Sequence, residues 1–523
     1  MSEILLEAAV VALFVVLASG YGALVPRSWR FDDVPRTVAA DFLIGILVCA
    51  AVFGMAIQIG ISFAVALAGT GVFVGIGGLG ILRATLQARA TLLARAGVGL
   101  LIAAYWLIGG AIRGNDGARD PWYYAAIPFL SFRHEWLAGN AGQLPYFSEI
   151  QASLSASETS RAAASTLLWP LAALGRGLGV AQVTETAIGL LLVMVWIVAD
   201  LVRREPVSRW AALAIGLGGA GIYNVIAALS GGQMQQPFIL TIMLGCVWLA
   251  TTTIRPFAHP WVFALGGYVV SSSYPESLVT SPLYVLAAAM GLGKTYLWTA
   301  AQLGGLAAGW ALEQLVTGGY ALRYLLWQSG TAIGWSPVPI TPSSPAEIIV
   351  DLVLQTRPPL VTLPVLAALA VLFWTRYRPS SSSARVLPHV LFGFALLCVL
   401  WLVIIARYGA LNYAVFKVGG WIGPGLLLLG WGVARTLNAR ARRLAQTGVV
   451  FLALARSAAL LYGGHEVLGL GRVDLAQQFP REVSPEGRCL VRVDGTDVRR
   501  TLASLVGSAA PYYDCTVEAW DAP

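Results

Sequence analysis

Charge is what this chain has least of. Only 11% of its 523 residues are charged, where a soluble domain carries about a quarter. Lysine is almost missing, 2 residues against 32 arginines, a bias we read as that of a GC-rich bacterial genome. The four histidines, His134, His259, His389 and His465, are too scattered for a metal cluster. Among the five cysteines there is no CxxC pair, which argues against zinc. A glycine-rich phosphate loop is missing as well. The glycine-dense stretches "GVFVGIGGLG" and "GLGGAGI" lie inside apolar runs, where small residues let helices pack closely. No basic region precedes the first apolar run. "MSEILLEAAVVALFVVLASG" opens with two glutamates, so its helix is expected to stay and not to be cleaved as a signal. No internal repeat is visible, and low complexity is confined to four serines at 380–383.

Apolar side chains fill the space that charge vacates. They make up 57% of the chain, and mean hydropathy is +0.73. Runs near 20 residues long recur throughout, the pattern of an all-α polytopic membrane protein with about 14 transmembrane helices. In a soluble protein the net charge of +8 would suggest nucleic acid. Here it fits arginines that anchor cytoplasmic loops against anionic membrane lipids, and no nucleic-acid partner is expected.

Arginine placement sets the expected topology. Apolar spans lie near 4–25, 39–60, 62–82 and 96–112. "VPRSWRFDDVPR" and "LRATLQARATLLARAG" join them in pairs and read as cytoplasmic. Residues 113–165 then fall outside the cell membrane. Further spans are expected near 183–202, 210–229, 237–254, on both sides of "SSSYPES", and near 296–315, 359–375, 386–405, 413–433 and 447–464. Basic clusters at "RREPVSR", Arg255, Lys294, "RYRPSSSSAR" and "ARTLNARARR" all land inside. Both termini land outside a bacterial inner or plasma membrane. Two domains follow: a membrane domain at 1–464 and a small extracytoplasmic α+β appendage at 465–523.

The appendage reads from "GRCLVRVDGTDVRRTLASLVGSAAPYYDCTVEAW": a strand-like run, a DG turn, an amphipathic helix-like stretch, and a second strand-like run. Cys489 and Cys515 lie in it, on the oxidising side, and are expected to pair. Cys49, Cys246 and Cys398 fall in apolar spans and read as small core residues.

The outside loop carries the most chemistry. "GNDGARDPWYYAAIPFLSFRHEW" puts Asp116, Arg119 and Asp120 ahead of an aromatic amphipathic segment, with Trp122, Tyr123, Tyr124, Phe129, Phe132 and Trp136. Such a segment lies flat in the membrane interface. It would hold Asp120 at the outer surface, where a carboxylate could take a proton from a substrate hydroxyl. Two aspartates four apart would also suit a divalent cation, although none is required.

This loop resembles the first extracytoplasmic loop of the GT-C glycosyltransferases, in which an acid soon after a helix exit is often followed by a tyrosine. "YNVIAALSGGQMQQPF" at 223–238, "SSSYPESL" at 271–278 and "NYAVFKVGGWIGP" at 412–424 resemble further stretches of large actinobacterial members. In simple members the acidic loop follows the first helix, whereas here it follows the fourth span. The resemblance implies a polyprenyl-phosphate sugar as donor, a glycan, lipid or protein as acceptor, and Asp120 with Asp116 as the catalytic acids.

Departure of a lipid phosphate needs cations, and basic residues on the outer face are few. Arg113, Arg119, Arg133, His134, Arg161, Arg323, Arg357, Arg407 and Lys417 are the candidates to meet donor or acceptor, with Glu276 of "SYPES" beside them. Lys417 lies about a turn inside an apolar span, and a charge there suits a phosphate ligand. Glu185 reads as a helix N-terminal acid. Two other readings stay open: a transporter or flippase, which would show hydropathy symmetry, and a cell-envelope assembly protein with the tail as docking module.

Overall fold

A computed structural model of the chain describes residues 180–203, 209–220, 235–252, 260–274, 296–319 and 439–462, three strands within 481–520, and helical residues within 8–15, 43–55, 75–79, 97–104, 281–285 and 321–322. The described body is α-helical. Its helices are α1 (Val180–Arg203), α2 (Arg209–Ala220), α3 (Gln235–Thr252), α4 (Pro260–Ser273), α5 (Tyr296–Thr317) and α6 (Ala439–Tyr462). The spans expected near 359–375, 386–405 and 413–433 lie outside the described residues. Among the described residues no helix is long and apolar enough to cross a membrane.

Local chemistry explains the helix ends. α1 begins directly after Gly179, the last glycine of "GRGLG", and runs through "VAQVTE", which contains no breaker. Glu185 is therefore the sixth residue of the helix, not an acid of its first turn. α6 starts eight residues before the expected span and takes in "ARARR". Alanine, arginine, leucine and glutamine are strong helix formers, so the basic cluster is helix and not loop. α5 ends in a Schellman-type cap. Gly318 and Gly319 have φ of 64° and 85°, and the Gly319 N–H donates to the Gln314 carbonyl at 2.8 Å.

The helices pack in sequence. α1 and α2 are joined by five residues and meet where Gly216 faces the Val195 carbonyl, so they run antiparallel. The Thr241 hydroxyl of α3 donates to the Leu190 carbonyl of α1 at 2.9 Å. α3 and α4 run antiparallel, with Ile242 and Cys246 against Gly266, and the Cys246 thiol directed at the Val262 carbonyl, 3.6 Å away. Cys246 is buried and free, the expected small core residue. Trp248, Trp298, Tyr268, Phe238 and Phe263 are the bulkiest fully buried side chains. α6 packs on α2.

The α4–α5 pair is the closest. A Cβ on Gly305 would lie 2.3 Å from the Pro260 carbonyl oxygen, and one on Gly309 would lie 1.9 Å from that of Ala264. From the other side, a Cβ on Gly267 would lie 2.6 Å from the Leu306 carbonyl oxygen. Gly305 meets Pro260 and Phe263, and Gly309 meets Ala264 and Tyr268, so α4 and α5 run parallel. Close packing through glycine thus occurs here and at Gly216 of "GLGGAGI". Apart from Gly75 and Leu79, the stretch "GVFVGIGGLG" lies outside the described residues.

In the tail, β1 (Arg481–Val483), β2 (Cys489–Asp494) and β3 (Thr516–Trp520) form one sheet in the order β1-β2-β3. β1 pairs antiparallel with β2, and β2 pairs parallel with β3, Leu490 opposite Thr516 and Asp494 opposite Trp520. The two strand-like runs of the sequence are β2 and β3. β1, three residues long, carries too little pattern to be read in advance. A parallel pair needs a long crossover, and 21 residues separate β2 from β3 in sequence.

Two predictions follow from this packing. Gly309→Ala should force the α4 and α5 backbones apart and cost about 1–3 kcal/mol. Gly304→Ala, on the same helix but with open space at the Cβ position, should leave thermal unfolding of the purified protein unchanged. Equal melting of the two variants would contradict the close contact. The second concerns the tail: Cys489 opens β2, and Cys515 directly precedes in sequence Thr516, the residue of β3 paired with Leu490. Neighbouring strands lie within the Cα range of a disulfide. A Cys489–Cys515 bond is expected to stabilise the tail by about 3–4 kcal/mol in the chain-entropy model. A non-reducing peptide map should recover the linked pair, and two free thiols there would refute it.

Candidate functional site

The C-terminal ends of α4 and α5 each bury polar side chains. α4 closes on Ser271, Ser272 and Ser273, all fully buried, and on Tyr274, 3% exposed. Serine hydroxyls inside a helix find their acceptors one turn back. Ser271 Oγ lies 2.6 Å from the Gly267 carbonyl and 3.1 Å from that of Tyr268, and Ser272 Oγ donates to the Val269 carbonyl at 3.2 Å.

α5 brings Glu313, also fully buried, to the same end. Its position continues the register of the pair, Pro260 with Gly305 and Ala264 with Gly309, and Tyr268 of α4 lies within electrostatic reach of its carboxylate. The Thr317 hydroxyl is 2.9 Å from both Oε1 and the carbonyl oxygen of Glu313. The Gln314 side-chain amide donates to Oε2. A carboxylate one turn from a helix C-terminus opposes the helix dipole. The hydroxyl and amide donors offset that penalty and the cost of burial.

The side chains of α5 are distributed inside out. Its exposed positions are Leu297, Ala300, Gly304, Ala307, Ala308, Trp310, Ala311, Leu312 and Leu315, with no charge among them. Its buried stripe is Trp298, Gln302, Gly305, Leu306, Gly309 and Glu313, which includes the most polar side chains of the helix. A helix at a water-facing surface shows the reverse arrangement.

Of the residues singled out in the sequence, Asp116, Arg119, Asp120, Arg133, His134, Glu276, Arg323, Arg407, Lys417 and Cys515 lie outside the described residues, as does the whole loop 113–165. Cys489 opens β2. Two of these residues adjoin the cluster in sequence: Glu276 follows Tyr274 by two positions, and Arg323 follows Leu322 by one. Glu313 was missed. The signal was present, since it is the one acid within the apolar stretch 296–315, and a carboxylate in such a stretch is functional by default. Among the described residues no group of three His, Cys, Asp or Glu side chains could hold a metal ion.

Comparison with known protein families, with curated proteins and with solved structures gives no match for this chain.

Proposed function

We propose that this chain is an integral-membrane glycosyltransferase of the GT-C kind, which moves a sugar from a polyprenyl-phosphate donor to a glycan, lipid or protein acceptor outside the cell membrane. The observation that carries the membrane half of this reading is the inside-out pattern of α5. Apolar side chains cover its open face while Gln302 and Glu313 turn inward. That arrangement suits a helix solvated by lipid. The parallel course of α4 and α5 agrees with it. His259 precedes one helix and Lys294 the other, so both would leave the same basic, cytoplasmic side and end at the outer face.

The catalytic half rests on the loop at 113–165 and its resemblance to the acidic loop of these enzymes. In this reading Asp120 accepts the proton of the acceptor hydroxyl. The oxygen then attacks the anomeric carbon, the bond from that carbon to the phosphate oxygen breaks, and the lipid phosphate departs with the electron pair. Lys417 and the outer arginines offset the charge that develops on it. A donor delivered through the lipid needs no nucleotide-binding fold, in keeping with a sequence that has no phosphate loop. Asp116 assists Asp120, or shares a divalent cation with it.

Transfer from a polyprenyl-phosphate sugar by the purified, detergent-solubilised protein is the direct assay, with folding followed by size exclusion. Asp120→Asn keeps the shape and removes the charge, so turnover should fall roughly 10²–10⁴-fold. Lys417→Met should raise the donor KM and leave kcat much less affected. Near-full transfer by a folded Asp120→Asn protein would make Asp120 an idle loop acid. Orientation has its own test. Cysteines introduced as Ser155→Cys and Ser508→Cys should react with an impermeant thiol reagent in intact cells, and labelling only after permeabilisation would overturn the topology.

A further inference from the structure

The exposed face of α6 changes character along its length. Arg440, Arg443, Leu444, Gly448, Phe451 and Leu454 are all exposed. Steps of three and four residues return to the same side of a helix, so these positions form one stripe. Its first turn is cationic and the rest is apolar: Leu444 is 69% exposed, Phe451 72% and Leu454 52%. At Gly448 a Cβ would meet no atom within 4 Å, so the stripe is recessed between Leu444 and Phe451. Arg442 is only partly exposed and belongs to the opposite side of the helix.

Charge around this stripe is of one sign. No Asp or Glu occurs from residue 352 to residue 465, and none in α2, the helix on which α6 packs. The first turn of α6 holds arginines and no acid. Neighbouring guanidinium groups repel one another, and the helix dipole opposes cations at this end. An anion lodged between them offsets both effects. In the topology read from the sequence, α6 and α2 both begin at the cytoplasmic face. Trp210, the second residue of α2, is 77% exposed, as suits an indole at headgroup level.

We propose that this face of α6 binds one anionic phospholipid of the cytoplasmic leaflet, with its phosphate between Arg440 and Arg443 and an acyl chain laid along Leu444, Gly448 and Phe451. Guanidinium groups meet phosphate oxygens through paired, charge-assisted hydrogen bonds. The eight residues from Arg443 to Phe451 span about 12 Å of helix, and one leaflet's share of the hydrocarbon core is about 15 Å. A chain that leaves a phosphate at the arginines thus passes Phe451 while still in its own leaflet. A free anion or an acidic protein segment would use the arginines and leave the apolar part of the stripe bare. The site rests on the membrane half of the proposed function and is independent of sugar transfer.

The experiment uses full-length protein in nanodiscs of phosphatidylcholine. A small fraction of either phosphatidylglycerol or phosphatidylcholine carries a photoreactive group on its acyl chain. After photolysis, non-tryptic peptides covering 439–455 are mapped for attached lipid. Phosphatidylglycerol should label this segment several-fold more than phosphatidylcholine. Arg440→Gln with Arg443→Gln should lower the phosphatidylglycerol yield by roughly tenfold, the worth of one lost charge-assisted hydrogen bond. Labelling by phosphatidylcholine should not change. Arg376→Gln with Arg378→Gln removes the same charge from another basic cluster and should leave the yield at α6 intact. Equal labelling by the two lipids, or an equal loss in the Arg376 and Arg378 variant, overturns the site and leaves the membrane reading standing. Loss of labelling when excess glycerol phosphate is added makes this a free-anion site and overturns the lipid. If the double variant does not fold, Arg440→Gln alone should still lower the yield, and an unchanged yield overturns the site. No label from either lipid anywhere on α6 overturns both the site and the lipid-facing reading of this helix.

Discussion

Two backbones in contact hold the described part of this molecule together. α4 and α5 meet through Gly267, Gly305 and Gly309, where a side-chain carbon on any of the three would fall within 2.6 Å of a carbonyl oxygen on the other helix. That approach fixes their parallel register. The register in turn brings Tyr268 to Glu313 and sets the serine-rich end of α4 beside the capped end of α5. Without the glycines the two helices would stand further apart.

The same contact fits lipid better than water as the surrounding solvent. In water, a helix pair gains stability by hiding apolar surface. In lipid that gain vanishes, and association depends on close van der Waals fit and on polar groups that find partners within the protein. α5 follows the second pattern. Leu297, Leu312 and Leu315 stay exposed while Gln302 and Glu313 are buried. The basic start of α6, with Arg440 and Arg443 exposed ahead of Leu444, Phe451 and Leu454, suits a helix entering a membrane from its cytoplasmic side.

Much of the helical layout was legible, because long apolar runs and their polar breaks are local signals. α1, α3 and α5 lie within two or three residues of the expected spans, and α4 covers the apolar stretch before "SSSYPES". Boundaries failed where polar residues are also helix formers, as at "ARARR" before α6, or where a short lead-in carries no breaker, as before Glu185. Glycine contacts were legible only as a tendency. Among the described residues the tightest contact falls on Gly309 in "AAGWA", outside both glycine-dense stretches. Which glycine meets a neighbouring backbone depends on pairing, and pairing is not a local property. Glu313 escaped notice for the opposite reason. Its position was plain in the sequence, as the one acid of the apolar stretch 296–315.

The solvent around α5 is the claim on which the rest turns, and spin-label accessibility measures it directly. Nitroxides placed one at a time by Ala300→Cys, Ala308→Cys, Leu312→Cys and Leu315→Cys, in a background without native cysteines and in lipid bilayers, should be relaxed strongly by oxygen. A water-soluble nickel chelate should affect them little, with the contrast greatest at Ala308. Strong relaxation by nickel at Ala300, Ala308 and Leu312 alike would place that face in water and contradict the membrane account.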